Sequence, residues 1–373
     1  MINIAFVIDR VFSDRAGTEQ QLLGLIRKLD RTRFRVFLCC LRETEFLKSV
    51  DFCEVHVLGV DSLLSLRAMK SAIAFVRFLR ENRVDIVQTH FRDSNVFGVL
   101  CSRFAGVPAI LSSRRGVPYW KNNMGRMITL FVNRFTDRFI VNSFSIERFL
   151  MEKECVNPQC IDVFPNSMDI DRLRRGAENS REQCREQLGV KSNEFVVGIV
   201  ANLRPVKRHD VFIRAAAQLD KSRPGWRFVV VGTGAILAEL QSMVHNLGLT
   251  KSFSFLGLRS DAPEITRAFD VGVLCSDYES TSNTLLEYVA LGVPVVCTRV
   301  GDNSRYVEDG GNGFVVEPGD PQALAQAILR VREGLVVPSI LEEKSAYVLD
   351  YFDADKVAAR YVSKFTEIAS DAI

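Results

Sequence analysis

Two glutamates eight positions apart, Glu279 and Glu287, stand in the segment Asp277-Tyr-Glu-Ser-Thr-Ser-Asn-Thr-Leu-Leu-Glu-Tyr-Val-Ala-Leu-Gly292. An apolar run, Val271 to Leu274, precedes them and a second follows Gly292. The pattern predicts a strand, a polar turn, a helix opening near Asn283 and another strand. One carboxylate then lies on the loop at a strand's C-terminal end, and the other about one turn into the helix. A helix N-terminus presents unpaired backbone N–H groups and the positive end of its dipole, where phosphate binds well. Carboxylates flanking such an anion site suit a ligand with hydroxyls on both sides of a phosphate, as in a nucleotide-sugar.

Other residues could join that chemistry. Lys207 follows the apolar run Val196–Val200 in Arg204-Pro-Val-Lys-Arg-His209. A cation there can neutralise a diphosphate that gains charge as its bond to a sugar breaks; a solvated basic loop is the plain alternative. Gly232 and Gly234 also follow a strand and allow close backbone approach to a nucleotide. They lack the third glycine of the dinucleotide fingerprint, and an ordinary strand-to-helix turn accounts for them equally. His90 ends the run Asp85–Thr89, a position open to either a structural or a ligand-facing role. The four histidines (His56, His90, His209, His245) have no chelating spacing, and Asp169-Ile-Asp171 falls between domains. No metal ion or cofactor is expected.

These residues need a scaffold that collects strand ends. Short apolar runs at Ile2–Ile8, Val36–Leu41, Glu54–Leu58, Asp85–Thr89, Ala109–Ser112 and Arg138–Val141 alternate with amphipathic stretches at Thr18–Leu29, Leu64–Glu81, Ser94–Ala105 and Met124–Phe135. The same alternation restarts at Phe195, through Val196–Val200, Arg227–Val231, Phe253–Phe255, Val271–Leu274 and Pro294–Thr298. Strand and helix in alternation predict parallel sheets covered on both faces. The expected architecture is therefore α/β: two doubly wound Rossmann-like domains, residues 1–170 and 171–354, facing a shared cleft.

Composition agrees with two domains of ordinary size. The chain has 373 residues, 47% hydrophobic and 25% charged, as soluble globular proteins have. No run approaches the roughly 18 apolar residues of a membrane span, and Ile2–Ile8 is too short for a signal-peptide core. Nine cysteines without repeating spacing predict reduced thiols and a cytoplasmic location. Net charge is +3, yet residues 101–150 hold 8 basic against 2 acidic side chains. That field is too local for a nucleic-acid protein. Arg114, Arg115, Lys121, Arg126 and Arg134 fall in or near Tyr119–Phe135, which mixes aromatic, apolar and cationic residues. Such a segment suits an anionic membrane surface; a core helix with a basic outer face is the alternative.

The Glu-x7-Glu segment resembles the motif of retaining glycosyltransferases with the GT-B fold, in the large family four. Asn202-Leu-Arg-Pro-Val-Lys-Arg-His209 resembles that family's basic loop, Gly232-Thr-Gly234 its glycine turn and Pro165-Asn-Ser-Met-Asp169 its interdomain segment. The resemblance covers nearly the whole chain. It implies GT-B architecture, with a final helix, Asp355 to Ile368, crossing back onto the first domain. It also implies a catalytic group of Lys207, Glu279, His90 and Arg204. Donor binding would fall to Glu287 (ribose), Gly17, Gly232, Gly234, Leu258 and Arg259 (near the base), and Ser282, Asn283 and Thr284. Three departures stand out: Asn202 occupies the family's usual arginine position, Ala16 replaces one glycine of the N-terminal loop, and Thr281-Ser282 replace a Phe-Gly pair. The implied activity is metal-independent transfer of a hexosyl unit from a nucleoside-diphosphate sugar to a growing glycan or lipid-linked acceptor, in cell-surface polysaccharide or lipopolysaccharide synthesis, with a peripheral position at the inner face of the plasma membrane. A non-catalytic GT-B partner or chaperone of an active enzyme is the alternative. A nicotinamide dehydrogenase is disfavoured, because Cys39-Cys40-Leu41 offers no acid after the second strand.

Overall fold

The computed structural model describes all residues except 15–16, 117–119, 121, 176–179 and 372–373. The expectations placed on Ala16, Tyr119 and Lys121 fall outside these described residues. Met1–Ser167 and Ala354–Ile373 form one compact unit, and Met168–Asp353 forms a second.

The first unit is built on seven parallel strands: β1 Ile2–Ile8, β2 Phe34–Cys40, β3 Glu54–Val57, β4 Ile86–His90, β5 Ala109–Arg114, β6 Arg138–Val141 and β7 Ile161–Val163. Their order is β3-β2-β1-β4-β5-β6-β7. Ile4 to Ile8 are wholly buried, because a parallel sheet covered on both faces needs apolar side chains on both. The helix Ala354–Asp371 belongs to this unit and turns Val357, Tyr361, Phe365 and Ile368 inward. The Phe365 ring meets Phe6 at 6.2 Å and Phe34 at 6.5 Å, both edge-on, a favourable aromatic geometry.

Six parallel strands form the second unit: β8 Phe195–Val200, β9 Trp226–Val231, β10 Phe253–Phe255, β11 Val271–Leu274, β12 Val295–Thr298 and β13 Gly313–Val316. They lie in the order β10-β9-β8-β11-β12-β13. Two strands went unforeseen, β7 and β13. Both are sheet edges of three or four residues, too short to leave a periodic signal. Elsewhere the strands match the expected ones to within two residues.

In each sheet the winding reverses once, between β1 and β4 and between β8 and β11. Open α/β sheets bind ligands beyond the strand ends at such switch points. The two reversals differ. β1 and β4 pair over five residues, up to Ile8 opposite His90 at the strand ends. Between β8 and β11 the pairing covers Val197–Val271 and Gly198–Gly272, then stops. Beyond that position the second sheet is split.

Candidate functional site

The split in the second unit is where the predicted residues gather. The loop after β8 forms a short 3-10 turn, Pro205–Lys207, that ends at Arg208 with φ of 52°. The loop after β11 carries Glu279. Lys207 Nζ donates to Glu279 Oε1 at 2.5 Å, and Ser276 Oγ donates to the same oxygen at 2.8 Å. Both charged side chains are mostly but not wholly covered, 21% and 12% exposed, so a ligand can reach them. Residues 72 apart in sequence are thus in direct contact.

Backbone contacts hold the two loops in register. Asp277 N–H donates to Val206 O at 2.9 Å, and the Cys275 thiol reaches the carbonyls of Lys207 (3.3 Å) and Arg208 (3.1 Å). Arg208 clamps across them, donating to both Asp277 oxygens at 2.8 and 3.1 Å and to Asp210. On the far side, Thr298 Oγ1 donates to Ser276 O at 2.7 Å, and Asp302 N–H to Ser280 O at 2.9 Å. Gly301 has φ of 53°, and a Cβ there would lie 2.4 Å from the carbonyl oxygens of Glu279 and Ser280. Only glycine fits that approach.

Ser282 caps the helix Asn283–Ala290, its hydroxyl accepting from Leu285 N–H. Thr281 and Ser282 are buried, Asn283 and Thr284 half-buried, so the helix N-terminus opens beside the Lys207–Glu279 pair in chain and space. Glu287, one turn on, is half-buried. Burial raises its carboxyl above the ordinary value, and Arg172 partly opposes that. A carboxylate kept in such a place without an ion-pair partner among the described residues is a poor contributor to the unliganded fold.

The remaining candidates in this unit are less central. Arg204 is exposed, with no ion pair to a described residue. Gly232 has φ of 143°, and a Cβ there would sit 2.0 Å from Ala201 O; at Gly234 it would sit 2.2 Å from Leu203 O. Both glycines therefore let the loop after β9 lie against the Lys207 loop, a close approach between two protein backbones. Leu258 is exposed, and Arg259 is exposed in a two-pronged bond to Asp261 (2.7 and 2.5 Å). His209 was not singled out by sequence. It is buried behind Lys207, with neither ring nitrogen bonded to a described residue, and burial and the Lys207 charge bring its pKa down to about 4.

At the other switch point, in the first unit, several polar groups bond to one another, while His90 Nδ1 is buried with no hydrogen-bond partner among the described residues. Asp9, just past β1, accepts from Ser94 N–H at 2.7 Å at the start of the helix Arg92–Ala105. The Ser94 hydroxyl in turn donates to His90 O. His90 is 1% exposed; burial first, and the nearby Arg115 charge second, bring its pKa down to about 3. Its imidazole is neutral at any ordinary pH. Gly17 opens the helix Gly17–Lys28 with nothing near its absent side chain, while Glu19 folds back to accept from Phe12 and Ser13 N–H at 2.8 and 3.1 Å. Among the described residues no group of three or more His, Cys, Asp or Glu could hold a metal ion.

Two family models account for most of the chain: Glycosyltransferase Family 4 over residues 15–172, and Glycosyl transferases group 1 over residues 180–334. The chain belongs to the family-four glycosyltransferases. It is a retaining hexosyltransferase by that membership. Among curated relatives, UDP-Gal:alpha-D-GlcNAc-diphosphoundecaprenol alpha-1,3-galactosyltransferase of Escherichia coli is 27% identical, over 93% of this chain and 94% of its own. D-inositol 3-phosphate glycosyltransferase of Corynebacterium jeikeium is 28% identical over 71% and 70%. Solved structures share the GT-B fold. Anabaena HepE in complex with UDP matches with a TM-score of 0.84 and 23% identity, covering 98% of this chain and all of that one. The lipopolysaccharide outer core galactosyltransferase WaaB in its apo form matches at 0.74 and 19%, over 98% and 100%.

Proposed function

We propose that this glycosyltransferase moves a hexosyl unit from a UDP-sugar to a lipid-linked glycan acceptor, with retention and without a metal ion. The Lys207–Glu279 pair at the split between β8 and β11 carries the reading. There Lys207 and the helix N-terminus at Ser282, Asn283 and Thr284 would take the diphosphate, supplying the positive charge that a divalent ion supplies elsewhere. Glu287 would accept from the ribose hydroxyls. Glu279 would hold Lys207 until the diphosphate arrives and then face the sugar hydroxyls. Arg204, exposed on the same loop, would meet the phosphates, with Arg259 and Leu258 at the base. His90 and Gly17 are the first unit's own candidates for a part in transfer. The UDP carried by HepE and the diphosphoundecaprenol acceptor of the Escherichia coli relative support this choice of donor and acceptor. Assays pairing UDP-hexoses with a polyprenyl-diphosphate-linked sugar in EDTA test it, with the product's anomeric configuration read by NMR. No binding of UDP by calorimetry, or a strict divalent-ion requirement for chemistry, overturns it.

A lipid-linked acceptor calls for a surface that meets lipid. No helix among the described residues is long and apolar enough to cross a membrane. Three neighbouring helices of the first unit, Leu66–Glu81, Arg92–Ala105 and Asn123–Asn133, cover one side of its sheet. They leave Leu66, Met69, Ile73, Phe104, Met127 and Phe131 exposed, while carrying seven Lys or Arg against two Asp or Glu. Apolar tips among cations fit an anionic bilayer, whereas two copies of this face would repel. The face is wider than the segment 119–135 expected from sequence. Co-sedimentation with phosphatidylglycerol vesicles, lost in a Met69→Glu, Ile73→Glu variant, supports it. Failure of the unmodified protein to sediment at low salt overturns it in favour of a protein partner or a soluble acceptor.

A further inference from the structure

The split between β8 and β11 has a specific lining. Gly198 and Gly272 are register partners, the last pair before the strands part. A Cβ on Gly272 would lie 2.4 Å from Tyr288 Cδ2, and one on Gly198 would lie 2.0 Å from Phe269 Cε2. The two glycines therefore make a slot in the sheet surface, filled by two aromatic rings whose centres are 6.3 Å apart at an interplanar angle of 67°. Tyr288 is wholly buried. Its ring lies over β11, and its hydroxyl crosses to β8, where it accepts from Val200 N–H at 2.8 Å. Val200 is the last residue of β8. A backbone N–H left unpaired at that depth would be costly, so the side chain takes the place of a strand partner.

Tyr288 also neighbours Glu287 on the helix Asn283–Ala290, whose N-terminus is the proposed diphosphate site. One buried hydroxyl thus ties the element carrying that site to the strand leading into the Lys207 loop. We infer that Tyr288 is a positioning residue: bridging Gly272 and Val200, it keeps the β8–β11 split open and sets where Glu287 and the helix N-terminus stand for the nucleoside diphosphate. The inference rests on the reading of this split as the donor site. It assigns Tyr288 no contact with donor or acceptor.

The test is Tyr288→Phe, which keeps the ring in its slot and removes only the hydroxyl. Tyr288 adjoins Glu287, whose contact with the ribose is made alike before and during reaction, so its misplacement should raise KM more than it lowers kcat. Expected are a rise of about tenfold in the Kd for UDP and in the donor KM, a kcat changed by less than about threefold, and faster amide exchange at Val200. A role confined to packing would lower Tm but leave Kd and KM at 25 °C unchanged; that result overturns the inference. Should the variant fail to fold, Gly272→Ala offers the second arm. It pushes the Tyr288 ring aside while keeping its hydroxyl, and unchanged UDP affinity in a folded Gly272→Ala protein likewise overturns it. If the unmodified protein itself does not bind UDP, the donor-site reading falls first, and with it the role assigned to Tyr288.

Discussion

The two sheets reverse their winding in the same way but treat the reversal differently. In the first unit β1 and β4 stay paired to their ends, and the groups just beyond, Asp9, Ser94 and the His90 carbonyl, bond to one another. In the second unit β8 and β11 part after Gly198 and Gly272, and the loops beyond bring Lys207 to Glu279. A closed switch point uses its polar groups to hold the fold. An open one leaves charge available for a ligand, at some expense in stability of the unliganded protein. The comparison sets the split apart as the place of the proposed donor site, which topology alone would not have singled out.

Breaking the open switch point should have the largest effect. Replacing Lys207 by Ala should lower kcat/KM for transfer by hundreds-fold or more, about 3 kcal/mol or above, since a cation facing the developing diphosphate charge is lost. Circular dichroism and Tm should change little, because the lysine's only described partner is Glu279. A variant that keeps near-normal turnover would show the pair to be a surface ornament.

Glu287→Gln comes next and separates binding from folding. Losing a charge-assisted acceptor should weaken UDP binding by about 1.5–3 kcal/mol, measured by calorimetry. The unliganded protein should respond in the opposite direction. A carboxyl whose pKa is raised on folding favours the folded state below its unfolded value and loses that contribution as pH rises through the folded one. The variant's Tm relative to the parent should therefore be higher at pH 7 than at pH 4.

At the closed switch point the readout is stability against pH. His90 is held neutral down to about 3, from an ordinary 6.5. Below pH 6.5 the unfolded chain takes up a proton that the folded chain refuses, so stability falls with pH by up to about 1.4 kcal/mol per unit. Urea unfolding between pH 6.5 and 4.5 should show that slope reduced in His90→Gln. An unaltered slope would mean that the imidazole is reached by solvent and titrates normally.

The smallest effect belongs to Arg259. Exposed and bonded to Asp261, it should leave Tm nearly unchanged when changed to Ala. A measurable loss of UDP affinity in that variant would support its place at the base, and unchanged affinity would confine the donor site to the split.

Much of this was legible in the residues. Apolar runs of four to seven residues alternating with amphipathic stretches determine parallel sheets, since only strands buried on both faces read that way. The eight-residue spacing of Glu279 and Glu287 placed one on a loop and one on a helix, and both stand there. Lys207 was recognisable as a cation after a strand. What the order of residues could not show was which strands lie side by side: contact between Lys207 and Glu279 depends on β8 and β11 being neighbours although β9 and β10 intervene in the chain. Nor could it show that Gly232 and Gly234 answer to the carbonyls of Ala201 and Leu203, or that Gly198 and Gly272 meet across the sheet to admit Phe269 and Tyr288. Local patterns determine elements because periodicity and burial act within a few residues. Whether a glycine, a tyrosine hydroxyl or a carboxylate faces backbone, solvent or ligand is decided by neighbours far away in sequence, and only tertiary packing brings those together.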